Sequence, residues 1–319
     1  MLSMKTTIVP AFSVALLFAF AASEGLAQDT RSGKLRFTKF SVPGAVVLGV
    51  EDINNNGTIS GYYTDSAGDT RGFMLPSGGT VATLIDPLDT ATPGYTAAYS
   101  IDGTGTIVGQ FYDAAATTYS GFFYTNGTFT TYNVPNQPQY TSTSVIGINS
   151  KHGFCGFIFP PPYTATSSFV SSDSGVISTF AVNGSTDSEC TAMNDAGTTV
   201  GLYSDSAGVY HGFIRNAEGG IAVIDVPGAS TVPAAAPCSA GLVAGTVING
   251  INDLGEISGH FWDTSNNEHG FLRNSNGTFT QIDVPGAYQT AGGGLSDEDV
   301  MVGHWANSSC VESGYSVKY

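Results

Sequence analysis

Residues 250–287, GINDLGEISGHFWDTSNNEHGFLRNSNGTFTQIDVPGA, decide the fold. Asn252-Asp253-Leu254-Gly255 reads as a tight turn: Asn and Asp bond their own backbone and Gly supplies a positive φ. From Glu256 to Trp262, Ile257, Gly259 and Phe261 fall on one side and Ser258, His260 and Trp262 on the other, a strand period. A polar loop, residues 263–268, leads into His269-Gly270-Phe271-Leu272-Arg273. Asn276-Gly277 is a hairpin turn signal, and residues 278–284 form another extended segment before Pro285-Gly286. Four short strands in about forty residues is the size of one β-propeller blade.

The phrase around Gly259 recurs around Gly61, Gly109, Gly156, Gly201 and Gly303. The intervals between successive glycines are 48, 47, 45, 58 and 44 residues, and an Ala/Pro-rich insertion at residues 230–247 accounts for the 58. Six copies at this period predict an all-β propeller of six four-stranded antiparallel blades. Blade one is read over residues 48–87, two over 97–135, three over 145–182, four over 190–227 and five over 247–285. The sixth copy, residues 294–319, holds only three strands. Residues 33–45 align with the fourth strand of blade five, 278–287, and have no first three strands before them. Joining this orphan strand to the incomplete last blade closes the ring and removes the exposed sheet edges.

The repeat resembles the HAF-type extracellular repeat family, exported bacterial proteins with a His-Ala-Phe-like signature. Here it reads His211-Gly212-Phe213 and His269-Gly270-Phe271, with Arg71-Gly72-Phe73 and Ser120-Gly121-Phe122 as weaker versions, and blade three loses the glycine at Ser168-Phe169. The resemblance spans nearly the whole mature chain and implies export, but brings no catalytic residues with it.

Residues 1–27 read as a secretory leader: Lys5, an apolar run over 8–22, and Gly25-Leu26-Ala27 as a small-x-small cleavage site. The exported chain, residues 28–319, is expected to be one propeller domain, monomeric, secreted or periplasmic and free of the membrane after cleavage. With 10 Lys+Arg against 26 Asp+Glu the net charge is −16. Such a chain repels phosphate backbones, which excludes nucleic acid as a partner class.

In an up-and-down blade the short Asn-Gly-type turns share one face, and the longer B–C and D–A connections share the other. Binding residues concentrate on variable loops over a rigid scaffold, so the longer loops mark the expected ligand face. Four B–C loops open with Asp after an aromatic: Asp65, Asp113, Asp205 and Asp263. A ring of carboxylates suits a divalent cation such as calcium, and with Trp262 and Trp305 it suits a carbohydrate cleft. The bland alternative is that each Asp caps its own loop. His260 and His304 follow the repeat glycine in blades five and six; they suit a metal or acid–base pair, or simply an inter-blade surface. No H-E-x-x-H, G-x-S-x-G or G-K-[ST] motif occurs. Four cysteines in an exported chain predict two disulfides, read here as Cys155–Cys190 and Cys238–Cys310. The leading functional expectation is a binding module for a glycan or an envelope protein. A structural surface scaffold and a metal-assisted hydrolase or lyase are the alternatives.

Overall fold

A computed structural model describes residues 35–84, 93–139, 141–162, 165–172, 174–238 and 241–319; the expected leader, residues 1–27, lies outside them. Every described element is a strand or a turn. Blade one consists of Val47–Ile53, Ile59–Thr64, Thr70–Leu75 and Ala82–Leu84. Blade two consists of Thr96–Ile101, Ile107–Asp113, Thr118–Thr125 and Thr128–Tyr132. Blade three is Ser142–Ile148, Phe154–Phe159, Ser167–Ser171 and Ile177–Phe180. Blade four is Asp187–Met193, Thr199–Ser204, Tyr210–Arg215 and Ile221–Ile224. Blade five is Gly245–Ile251, Ile257–Trp262, Glu268–Arg273 and Phe279–Ile282.

The sixth sheet joins the two ends of the chain. Arg36–Phe40 pairs antiparallel with Glu312–Lys318, from Arg36↔Lys318 to Phe40↔Gly314, and Val300–Ala306 and Gln289–Leu295 follow. Arg36–Phe40 is therefore the outermost strand of this four-stranded sheet, beside Glu312–Lys318. The inner strand of this blade starts at Gln289, not at Gly294 as the sequence suggested. Gly292-Gly293-Gly294 looks like a loop, but lies inside the strand, where the backbone packs too closely against its neighbours for side chains.

The signature and the repeat glycine form one packing unit. Phe73, Phe122, Phe169, Phe213, Phe271 and Tyr315 are fully buried, one per blade. Each burial contributes about 1.5–3 kcal/mol. The Phe271 ring lies over Gly259, where a Cβ would run into the ring and the Val247 carbonyl oxygen; Gly61, Gly109 and Gly201 sit alike against Phe73, Phe122 and Phe213. This is why the strand spends a glycine at its centre despite the entropic cost. The signature glycine packs against the next blade: Gly72 on Ala98, Gly121 on Val145 and Gly212 on Ile248.

The Asn-x-x-Gly turns tie blade to blade. Asn54 Oδ1 accepts from the Asn56 and Thr58 amides, while its Nδ2 donates to the Asp102 carbonyl at 2.9 Å. Asn149 donates likewise to Asn194 O, Asn194 to Asn252 O and Asn252 to Ser296 O. A second course lies beside it, in which the Ser150, Asp195 and Asp253 amides donate to Asp195, Asp253 and Asp297 carboxylates. Between the sixth and first blades, the Asp297 amide donates to Asn55 Oδ1 at 2.8 Å, and Asn55 Nδ2 to Asp297 Oδ2 at 2.7 Å. The first strands touch in chain order, and that of blade six touches that of blade one.

Both disulfides are present: Cys155–Cys190 between blades three and four, and Cys238–Cys310 between the insertion and the last B–C loop. The insertion carries a small hairpin, Ala234–Ala235 with Leu242–Val243. Blade five already begins at Gly245, inside the stretch read as insertion.

Candidate functional site

Each first strand carries one β-bulge at the same place, with register shifts at Val50/Asp52, Ala98/Ser100, Val145/Gly147, Cys190/Ala192, Ile248/Gly250 and Gly292/Leu295. A bulge leaves one residue unpaired and re-aims its side chain. The bulged residues are Glu51, Tyr99, Ile146, Thr191 and Asn249 in blades one to five, with Gly293 in blade six. The first five are part-exposed within strands whose other side chains are mostly buried. All five line one cavity of about 230 Å³, together with Glu189, Phe157 and Leu202. The scaffold is thus the same in every blade, and the side chain it presents differs in every blade.

The chamber is lined by the rings of Tyr99 and Phe157, the carboxyls of Glu51, Asp52 and Glu189 and the Asn249 amide, and Tyr62, Tyr95, Gln110 and Ser144 support it from outside the lining. Tyr62 and Tyr99 meet edge to face at 6.0 Å, and the Tyr95 and Tyr99 hydroxyls are 3.4 Å apart. Gln110 Nε2 donates to the Tyr95 hydroxyl, and Gln110 Oε1 accepts from Ser144 Oγ. Asn249 Nδ2 donates to the Gly292 carbonyl at 2.6 Å and lies 3.2 Å from His260 Nδ1. Burial pushes the Glu51 carboxyl up to about 7, with the Asp52 charge adding to it, and burial pushes Glu189 up to about 7 with help from Asp187. Asp52 rises to about 6 through burial, held back by hydrogen bonds from Ser100 and the Ile101 and Ile53 amides. Near pH 7 the two glutamates are therefore part-protonated and offer donors as well as acceptors.

The four B–C loop aspartates each cap their own loop. Asp65 Oδ1 accepts from the Ala67 and Asp69 amides, Asp113 from Ala115 and Ala116, Asp205 from Ala207 and Val209, and Asp263 from Ser265 and Asn267. The signature's basic residue then clamps the cap. Arg71 reaches Asp65 at 3.3 Å and Asp69 at 2.7 Å. His211 lies between Asp205 and Asp225, at 3.6 and 2.9 Å, and His269 between Asp263 and Asp283, at 3.4 and 2.8 Å. The Asp283 bond pushes the His269 pKa up against the effect of burial, and Asp263 adds to the rise. The first signature residue is therefore a loop clamp. Among the described residues, no group of three or more His, Cys, Asp or Glu is placed to hold a metal ion.

The two tryptophans do not wall an open cleft. Trp262 is 7% exposed and packs with Ala236 and Val243 of the insertion, near Tyr210. Trp305 is part-buried with the Lys39 ammonium 4.0 Å over its ring. The insertion and the returning N-terminal strand took these faces, and neither contact is readable from the local spacing. His260 lies edge-on to Trp262 and 3.7 Å from Glu268, and burial pushes its pKa down to about 4. His304 is also lowered by burial, against the charges of Glu268 and Glu312. The histidines thus belong to the inter-blade layer beside the chamber, with His260 joined to it through Asn249.

The chamber residues themselves were missed in the sequence, although a signal was present. Aligned on the turn Asn, the inner strands read Val-Glu-Asp-Ile-Asn, Ala-Tyr-Ser-Ile-Asp, Val-Ile-Gly-Ile-Asn, Cys-Thr-Ala-Met-Asn and Ile-Asn-Gly-Ile-Asn. One position varies without restriction inside an otherwise regular frame.

No protein-family model matches the chain, and no curated protein matches it. Solved structures do. A variant of AofleA from Arthrobotrys oligospora with three arginine-to-alanine substitutions superposes with a TM-score of 0.53 at 9% identity, over 92% of this chain and 90% of that one. The lectin of Aleuria aurantia, described as a six-bladed beta-propeller with a novel fucose recognition mode, matches with a TM-score of 0.50 at 11% identity, over 88% and 93%. A mutant of the same lectin in complex with Fucalpha1-6GlcNAc gives the same values. At such identities the likeness is one of fold: the chain is a β-propeller of four-stranded antiparallel blades.

Proposed function

We propose that the chain is an exported, HAF-type six-bladed propeller, closed into a ring, that acts as a binding module for a glycan with the axial chamber as its site. The observation that carries this reading is the bulge repeated in every inner strand, which turns a different side chain into one shared cavity. Closure is supported by the Asn55–Asp297 bonds between the last blade and the first. Export is supported by the pairing of all four cysteines, which suits an oxidising compartment. Aromatic rings beside part-protonated carboxyls and an amide offer what a polyol needs, apolar faces together with donors and acceptors. At about 230 Å³ the chamber lies below the roughly 300–1,000 Å³ of sites for drug-sized ligands. It therefore takes one ring-sized terminal group and not an extended chain. The lectin of Aleuria aurantia gives the reading a precedent on the same architecture, a six-bladed propeller that recognises fucose.

The test is a thermal-shift screen of the purified protein against neutral saccharides. A ligand that binds only the native state raises the melting temperature as its occupancy grows. A saccharide-induced rise that disappears in Tyr99→Ala supports the reading; the absence of any rise across mono- and oligosaccharides counts against it.

A further inference from the structure

The B–C loop aspartate and the signature's basic residue occur together in blades one, four and five, as Asp65 with Arg71, Asp205 with His211 and Asp263 with His269. Blades three and six have lost the aspartate, with Pro160 and Asn307 at its place. Blade two alone keeps the aspartate, Asp113, and lacks the basic residue, because Ser120 stands there. Ser120 pairs with Phe111 as His269 pairs with Phe261, so the equivalence is one of register and not only of sequence. The second carboxylate of the clamp is also changed: Asn133 holds the place of Asp225 and Asp283.

The consequence is an open space. Where blades four and five hold an imidazole between two carboxylates, blade two has a cavity of about 640 Å³ lined by Asp113, Ser120 and Asn133 and continued by Asn136 and Gln137. Asn133 Nδ2 donates to Ser120 Oγ at 3.2 Å. Asp113 spends only Oδ1 on its loop, and among the described residues no side chain bonds its carboxylate. Two residues of the lining, Thr117 and Asn136, hold positive φ, at 58° and 59°. For a β-branched threonine that conformation is a real cost, of the kind tolerated where a site needs the backbone held.

We propose that this blade-two cavity is a second saccharide site, in which vicinal hydroxyls of a neutral sugar occupy the place of the missing imidazole. The inference deepens the glycan-binding reading and rests on it. Two adjacent O–H groups donate to Asp113 and to Asn133 Oδ1, at the places that the two His269 ring nitrogens take towards Asp263 and Asp283 in blade five. The other polar side chains of the lining, among them Thr118, Asn136, Gln137 and Gln139, are amides and hydroxyls, which both donate and accept, and Ala115, Ala116, Val134 and Pro138 add apolar surface for the ring's C–H faces. A polyol uses both capacities, whereas a simple cation would leave the amide N–H groups idle. An anionic sugar is disfavoured by Asp113 and by the net charge of −16. The cavity lies within the usual size of small-molecule sites, about 300–1,000 Å³, and has room for more than one sugar ring.

The experiment is an NMR titration of ¹⁵N-labelled protein with the methyl α-glycosides of mannose, galactose, glucose and L-fucose. It is run on the wild type, on Ser120→His and on Asp113→Asn. Ser120→His supplies the imidazole that blades four and five carry, and Asp113→Asn keeps the loop cap while removing the charge, should the first variant fold poorly. The expected result is a set of saccharide-induced shifts at residues 113–120 and 133–139, abolished by Ser120→His and weakened about tenfold or more by Asp113→Asn. Shifts confined to the chamber residues overturn the blade-two site and leave the glycan reading standing. Shifts at blade two that survive both substitutions also overturn it. No shift with any glycoside removes both proposals together.

Discussion

Asp102 is the residue at which the repeat works against itself. In blades one, three, four and five the turn asparagine donates through Nδ2 to the next blade's carbonyl. Asp102 has an oxygen there, and its Oδ2 is buried without a partner. An unsatisfied buried acceptor costs about 1–3 kcal/mol. Asp102→Asn supplies the missing donor to the Asn149 carbonyl, and is expected to stabilise the fold by about 1 kcal/mol, seen as a higher denaturation midpoint at unchanged slope. A lower midpoint would mean that the carboxylate has a favourable partner here. His269 gives a second prediction at this scale. Its folded pKa is raised, so the clamp's contribution is complete below about 6.5, the ordinary histidine value, and fades as pH rises through the folded value. His269→Gln should flatten the part of the stability–pH curve above that point, measured by urea unfolding at several pH values. An unchanged curve would show that the Asp263 and Asp283 contacts carry no linkage.

At the scale of the blade, the strands were legible because their signals are local. Alternation from Glu256 to Trp262 needs no tertiary information, and Asn276-Gly277 sets a hairpin through backbone conformation alone. The orphan strand was legible from its match to residues 278–287. The bulge was not read, although the extra residue breaks the apolar alternation between Val50 and Ile53 and leaves one freely varying position; that the five side chains meet in one cavity depends on how the blades pack. The roles of Trp262 and Trp305 were hidden for a different reason: what covers them, Ala236 and Val243 in one case and Lys39 in the other, comes from distant sequence. The blade's weakest tolerance is at its repeat glycine. Gly259→Ala forces the new Cβ against the Val247 carbonyl and the Phe271 ring, neither of which can move without parting the strands. A loss of about 3 kcal/mol or more is expected by chemical denaturation. Gly277→Ala, at φ 96° in an open turn, should cost less, from backbone strain alone. Equal losses at the two sites would contradict the packing account of the signature.

At the scale of the whole molecule, two courses of residues run from blade to blade. One is structural, the course of turn amides bonded from blade to blade. The other is chemical, the row of bulged side chains that differ from blade to blade. Glu51 and Glu189 link the second course to stability. Both carboxyls sit near 7 in the fold against an unfolded value of 4.5. The folded state therefore binds more protons between those values, and stability falls as pH rises from about 4.5 through about 7. Glu51→Gln with Glu189→Gln should remove much of that decline in a melting-temperature series from about pH 4 to about pH 9. A decline of the same depth in the double variant would place its origin elsewhere.

The most direct measurement is the crystal structure of the protein with a saccharide that raises its melting temperature. A sugar ring is expected in the axial chamber, against the Tyr99 ring and within hydrogen-bond reach of Asn249 and Glu51 or Glu189. A chamber holding only water, with the sugar bound solely on an outer surface, would contradict it.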